Sequence, residues 1–201
     1  ITSLIESYEE EIIQLSDRIW DIPETRFQEF ESFKILSNFL EEKGFIVERG
    51  VGGIETAFTA TFGQGGPNIG ILGEFDALSG LSQRAGSPVR EPIIENGNGH
   101  GCGHNLLGTA GIAAALAVKD LIEQGKVTGT IKYFGCPGEE GGSGKTYMVR
   151  DGVFDGIDAA LTWHPNSYTG IFSFSSLANY QVYFSLEGKA AHAANSPHLG
   201  R

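Results

Sequence analysis

The chain has 201 residues, 40% of them apolar, 19% charged, with a formal net charge of -11. That is enough apolar material for one full-sized domain and the start of another, and too little charge for a disordered chain. A field of this sign repels phosphate backbones, which sets nucleic acid aside as a partner.

No run of about 18 consecutive apolar residues suggests a membrane span. The acidic, amphipathic opening "ITSLIESYEEEII" is unlike a signal peptide. Two cysteines make no disulfide framework, so a reduced, cytoplasmic protein is expected.

Taken in chain order, residues 3–20 predict an amphipathic helix, with Leu4, Ile5, Tyr8, Ile12, Leu15, Ile19 and Trp20 at helical spacing. Pro23 breaks it. A second helix is predicted over 26–43, with Phe27, Phe30, Phe33, Leu36, Phe39 and Leu40 inward and Gly44 closing it. Strands are predicted from 45, 55 and 68, the last two joined by the turn-forming "GQGGP". A long helix over 106–123 follows, capped by Asn105 and ended by Gly125. Then come a buried strand from 130, a short helix in "GKTYMVRDGVF", a strand from 157, and an alternating, strand-like segment from 176. Strands alternating with helices predict an α/β fold with helices on both faces of the sheet, a three-layer α/β/α arrangement.

In such sheets ligands bind beyond the C-terminal strand ends. There "IGIL" runs into Glu74 and Asp76, "TIKYFGCPG" into Glu139 and Glu140, and "DAALTW" into His164. The motif "GHGCGHN", residues 99–105, delivers His100, Cys102 and His104 to the start of a helix. Thiolate and imidazole suit zinc and its neighbours, and a helix N-terminus favours the thiolate. On spacing alone the motif reads equally as a metal nest or as a mobile glycine loop.

"GGSGKT" invites a phosphate-loop reading, but the glycine that pattern needs five residues before Gly144 is Glu139. Two adjacent carboxylates have a different use. One can ligate an ion while the other takes a proton from water acidified to a pKa of about 7. A solvated acidic turn is the plainer alternative. His164 alone reads as a half-buried strand-end residue, and His192, in "GKAAHAANSPH", as a loop histidine.

In order, "GHGCGHNLLGT", "CPGEEGGSGK", "LTWHP" and "GKAAHAANSPHLGR" resemble the metal-dependent amidohydrolase and peptidase family of aminoacylases, hippurate and auxin-conjugate hydrolases and carboxypeptidase-G-type enzymes. The likeness covers nearly the whole chain. It implies Cys102, His104, Glu140 and His164 as metal ligands, Glu139 as general base and Asp76 as the acid supporting the site. Glu74 stands where many relatives carry a ligand histidine and is not assigned as a ligand. Two divalent ions, manganese or zinc, are implied as cofactors. The implied substrate is a small N-acyl or aminobenzoyl amino acid, or a dipeptide. The resemblance also implies a zinc-peptidase-like mixed sheet over residues 1–174 and the beginning of an α+β lid or dimerisation domain over 175–201. In a homodimer, His192 would reach the partner's site and steady the oxyanion.

Members of the family run to roughly twice this length, a two-domain size. The chain is therefore expected to be a piece of such a protein, with a final ligand histidine beyond residue 201 and little turnover alone. A non-catalytic metal-binding or regulatory module is the other expectation.

Overall fold

The computed structural model describes residues 2–171, 173, 175, 177, 178, 180 and 182–200. They form two units, Ile1–Tyr168 and Thr169–Arg201.

The first unit is a five-stranded mixed sheet in the order β1-β2-β4-β3-β5. Its strands are β1 (Ile46–Arg49), β2 (Phe58–Gln64), β3 (Asn68–Glu74), β4 (Gly129–Cys136) and β5 (Ala159–Leu161). β1 and β2 are antiparallel, as are β2 and β4, while β3 runs parallel to both β4 and β5. Three strands thus end on the same edge.

Helices α1 (Thr2–Glu6), α2 (Glu9–Asp21), α3 (Phe30–Glu42) and α4 (His104–Glu123) come before β4, and α5 (Glu139–Gly142) and α6 (Gly144–Arg150) after it. Alternation along the strands divides the core between two faces. On one face Leu15, Ile19, Leu36, Leu40, Ile112 and Leu116 pack with Phe58, Ile71, Ile131 and Tyr133. On the other, Met148 of α6 packs with Ala57, Phe134 and Cys136, with Val153 and Phe154 alongside. The three-layer α/β/α class is therefore the observed one.

α4 is long and apolar enough to cross a bilayer by length and composition, but it is the core helix. Twelve of its residues are buried. It lies close on β3 because Gly108 and Gly111 face the sheet. A Cβ on Gly108 would meet the Glu74 carbonyl oxygen at 2.7 Å, and Tyr133 Oη donates to the Gly108 carbonyl at 3.0 Å. Gly108→Val gains helix propensity but pushes backbone off backbone, which no rotamer can relieve. It should lower stability by about 1–3 kcal/mol, seen as a lower urea midpoint. An unchanged midpoint would mean α4 has room to move.

Several element boundaries differ from the sequence prediction. The expected first helix breaks between α1 and α2, where Ser7 Oγ donates to the Leu4 carbonyl at 2.6 Å, a side-chain bond that competes with the helix ladder. α3 starts at Phe30 rather than near 26. Phe27 takes φ +59, and the Glu24 carboxylate accepts the N–H groups of Glu31 and Ser32 at 3.0 and 2.8 Å. Asn105 is not the cap of α4. Gly103, in a left-handed conformation, occupies that position, and Asn105 Nδ2 donates to Ser16 Oγ at 3.1 Å. The strand predicted from 176 lies partly outside the described residues, and residues 182–189 carry no strand. In the second unit the backbone turns at 193–195 and again in a short 3-10 segment, Pro197–Leu199.

Candidate metal centre

β3 carries Glu74 as its last residue and Asp76 two positions on; β4 runs through Pro137 and Gly138 into Glu139 and Glu140. The segment after β5 brings His164, anchored to α4 where Trp163 Nε1 donates to the Leu107 carbonyl at 3.2 Å. His104 is the first residue of α4. The strand-end rule therefore holds: three parallel strands and one helix start converge.

Asp76, 1% exposed, ties the centre together. Its Oδ1 accepts from His104 Nδ1 at 2.9 Å and its Oδ2 accepts the Glu140 N–H at 2.8 Å. With the His104 proton held on Nδ1, Nε2 carries the lone pair. That nitrogen lies 3.1 Å from Glu74 Oε2 and 3.9 Å from Glu139 Oε2, and it has no hydrogen-bond partner among the described residues. His164 is oriented similarly: Nδ1 bonds to the Pro165 carbonyl at 2.8 Å, which turns Nε2 toward Cys102 Sγ at 3.3 Å.

Two groups of donors result, Cys102–His104–His164 and Glu74–His104–Glu139, each with its ligand atoms within 4.8 Å of one another. His104 belongs to both. Glu140 joins the centre through Asp76, and its buried Oε1 also lacks a partner among the described residues.

The electrostatics ask for a cation. Burial disfavours charge on His104, but Asp76, Glu74 and Glu139 outweigh it and raise its pKa. Burial raises the pKa of Glu139 too, and the Glu74 carboxylate adds to it. The Cys102 thiol is pushed up to about 12, first by burial and then by Glu140. This runs against the expectation that the helix N-terminus favours its thiolate: burial, with Glu140 and the other carboxylates adding to it, favours the thiol, and a bound cation is what would deprotonate it. A half-buried thiol, a buried and an exposed imidazole and the carboxylates beside them form a donor set that fits a divalent ion.

Two other histidines singled out in the sequence are not members of these groups. His100 is a strut for α2: it is 4% exposed, and its Nε2 bonds to the Ile19 carbonyl at 3.0 Å. Burial drops its pKa to about 4, so it is neutral. His192 lies in the second unit, exposed, with Nδ1 accepting the N–H groups of Ala194 and Asn195 at 3.2 and 3.1 Å.

Sequence reasoning missed Lys145, the lysine of "GGSGKT". Its ammonium donates to Glu74 Oε1, and this carboxylate outweighs burial to raise the lysine's pKa. The usable signal is a lysine following a glycine turn that already holds two acids. A cavity of about 580 Å³ opens beside Cys102, with Trp20, Asn105 and Pro165 among its walls, room for a small substrate.

The fold and centre define a hydrolase-type α/β/α domain built around metal donors, and the chain belongs to peptidase family M20/M25/M40, which matches residues 70–198. One p-aminobenzoyl-glutamate hydrolase polypeptide of Escherichia coli (strain K12) is 57% identical over 201 residues, covering 100% of this chain and 42% of that protein. N-acetyl-L-cysteine deacetylase of Bacillus subtilis (strain 168) is 30% identical over 98% of this chain and 47% of its own length. Among solved structures, a dinuclear metal-binding peptidase of the M20 family from Bacillus subtilis superposes with a TM-score of 0.67 at 25% identity. That match covers 80% of this chain and 44% of that one. The chain thus spans less than half the length of each of these relatives.

Proposed function

We propose that this chain supplies the metal centre of a hydrolase that cleaves the amide bond of p-aminobenzoyl-glutamate or a similar N-acyl amino acid or small dipeptide. The observation that carries the reading is the convergence of Cys102, His104 and His164 with Glu74 and Glu139, two donor groups that share His104. The 57% identity to a p-aminobenzoyl-glutamate hydrolase polypeptide supports the substrate class.

Cys102, His104, Glu140 and His164 would hold two divalent ions, manganese or zinc; thiolate and imidazole favour zinc, carboxylates manganese. When bound, the ions polarise the scissile carbonyl and acidify water. Glu139, its side chain 44% exposed, faces solvent where a substrate would arrive. It would take the proton of the attacking water and pass it to the leaving amine. Its raised pKa moves it toward the range where a general base is most effective. Asp76 fixes the His104 tautomer. In a homodimer formed through residues 175–201, His192 would serve the partner's site. Its Nδ1 accepts two backbone N–H groups, so Nε2 bears a proton that can be offered to an oxyanion.

The test uses the protein expressed from its complete reading frame. It should bind divalent metal by elemental analysis and hydrolyse 4-aminobenzoyl-glutamate or another amide in a panel of N-acyl amino acids. Metal without hydrolysis of any amide would overturn the activity. Cys102→Ala should lower bound metal about 10- to 100-fold in affinity. Unchanged metal content would remove Cys102 from the ligands.

A further inference from the structure

Glu139 sits in a loop with little regular structure to hold it. Gly138 and Ser143 take left-handed conformations, and Glu140 and Gly141 depart from helical angles. Yet a general base must keep its place to a fraction of an ångström. The backbone amides on either side of Glu139 show how this is done. The Glu140 N–H is held by Asp76 Oδ2 at 2.8 Å. The Gly138 N–H is held by Glu29 Oε1, also at 2.8 Å.

Glu29 is fully buried at 0% exposure, and its second oxygen accepts from Thr56 Oγ1 at 3.1 Å. Burial raises its pKa to about 7, so keeping a carboxyl here is costly. Its neighbour Phe27 adopts φ +59, uncommon for an aromatic residue. That conformation lays its ring against the loop, where a Cβ on Gly138 or Gly142 would come within 2.6 or 2.7 Å. The same segment is pinned to the end of β3. Ala77 N–H donates to the Glu24 carbonyl at 2.7 Å, and Thr25 bridges to Ala77. Residues 24–29 thus join the strand end that carries Asp76 to the loop that carries Glu139.

We infer that Glu29 is a positioning residue for Glu139: with Asp76 it clamps the two backbone amides that flank the base, while the Phe27 ring sets the height of the loop. The inference rests on Glu139 being the base.

The experiment uses the complete reading frame and compares Glu29→Ala with Glu29→Gln. Glutamine keeps an oxygen for the Gly138 N–H and can turn its NH2 to the Thr56 hydroxyl. Glu29→Ala should lower kcat by about 30- to 100-fold with KM and metal content within about threefold of wild type. Hydrogen–deuterium exchange over residues 137–144 should quicken while the sheet is unaffected. Glu29→Gln should restore both rate and protection. A wild-type kcat in Glu29→Ala, unchanged exchange in that loop, or equal damage in Glu29→Gln would each overturn the inference. If Glu29→Ala does not fold, Thr56→Val takes its place, with a smaller loss of kcat, about 3- to 10-fold, at constant KM. Unaltered kcat there would count against the clamp. Should the wild type hydrolyse no amide, the functional reading fails, and the exchange measurement still decides whether Glu29 holds the loop.

Discussion

Glu139→Gln, in the protein expressed from its complete reading frame, should lower kcat by about 10²- to 10⁴-fold and leave the metal content unchanged. Glutamine matches glutamate in size and cannot take a proton. Glu139 is the carboxylate to which this prediction attaches because Glu74 and Asp76 are engaged and Glu140 is assigned to the ions. Glu74 has one oxygen on the Lys145 ammonium and the other 3.1 Å from His104 Nε2, and Asp76 uses both of its own. Glu139 keeps a half-exposed side chain whose pKa is raised by burial and by Glu74. Elemental analysis beside the rate separates the roles. Loss of metal together with activity would make Glu139 a ligand, consistent with its place near Glu74 and His104. Near-normal turnover would remove it from the chemistry.

The parts of this centre that local sequence signals can carry are legible. Apolar runs bounded by turn residues mark β3 and β4, an apolar run closed by Gly125 marks α4, and the strand-end rule places Glu74, Asp76, Glu139, Glu140 and His164 on one edge. What spacing cannot carry is pairing between distant residues. Nothing local distinguishes Asn105, a good cap by type, from the partner of Ser16 that it becomes 89 positions away. Phe27 fits the apolar stripe of a helix, but its ring is claimed by glycines more than 100 residues on, and the helix starts three residues later. Lys145 goes unread once the phosphate loop fails, because a lysine's partner is invisible until the fold brings Glu74 to it. The Cys102 thiol misleads for a related reason. A helix N-terminus is a local signal, whereas the burial that outweighs it, and the carboxylates that add to it from two strand ends, exist only in the folded chain.

Asp76→Asn should weaken metal binding about 10- to 100-fold, measured by competition with a chromophoric chelator, although the substitution changes one atom. The buried carboxylate accepts two hydrogen bonds, from His104 Nδ1 at 2.9 Å and from Glu140 N–H at 2.8 Å. Asparagine offers one oxygen and one NH2. If its oxygen stays on Glu140, the NH2 faces His104 Nδ1, the imidazole proton moves to Nε2, and the lone pair needed for the ion is lost. If the oxygen stays on His104, the NH2 meets the Glu140 N–H donor to donor and the loop after β4 is released. Both arrangements damage the centre, one at His104 and one at the loop that carries Glu139. The exchange rate of residues 137–144 tells them apart: protected in the first, exposed in the second. Unchanged metal affinity would show that the backbone carbonyl of residue 76, 3.1 Å from His104 Nδ1, holds the imidazole without the carboxylate, and the buried acid at position 76 would then need another explanation.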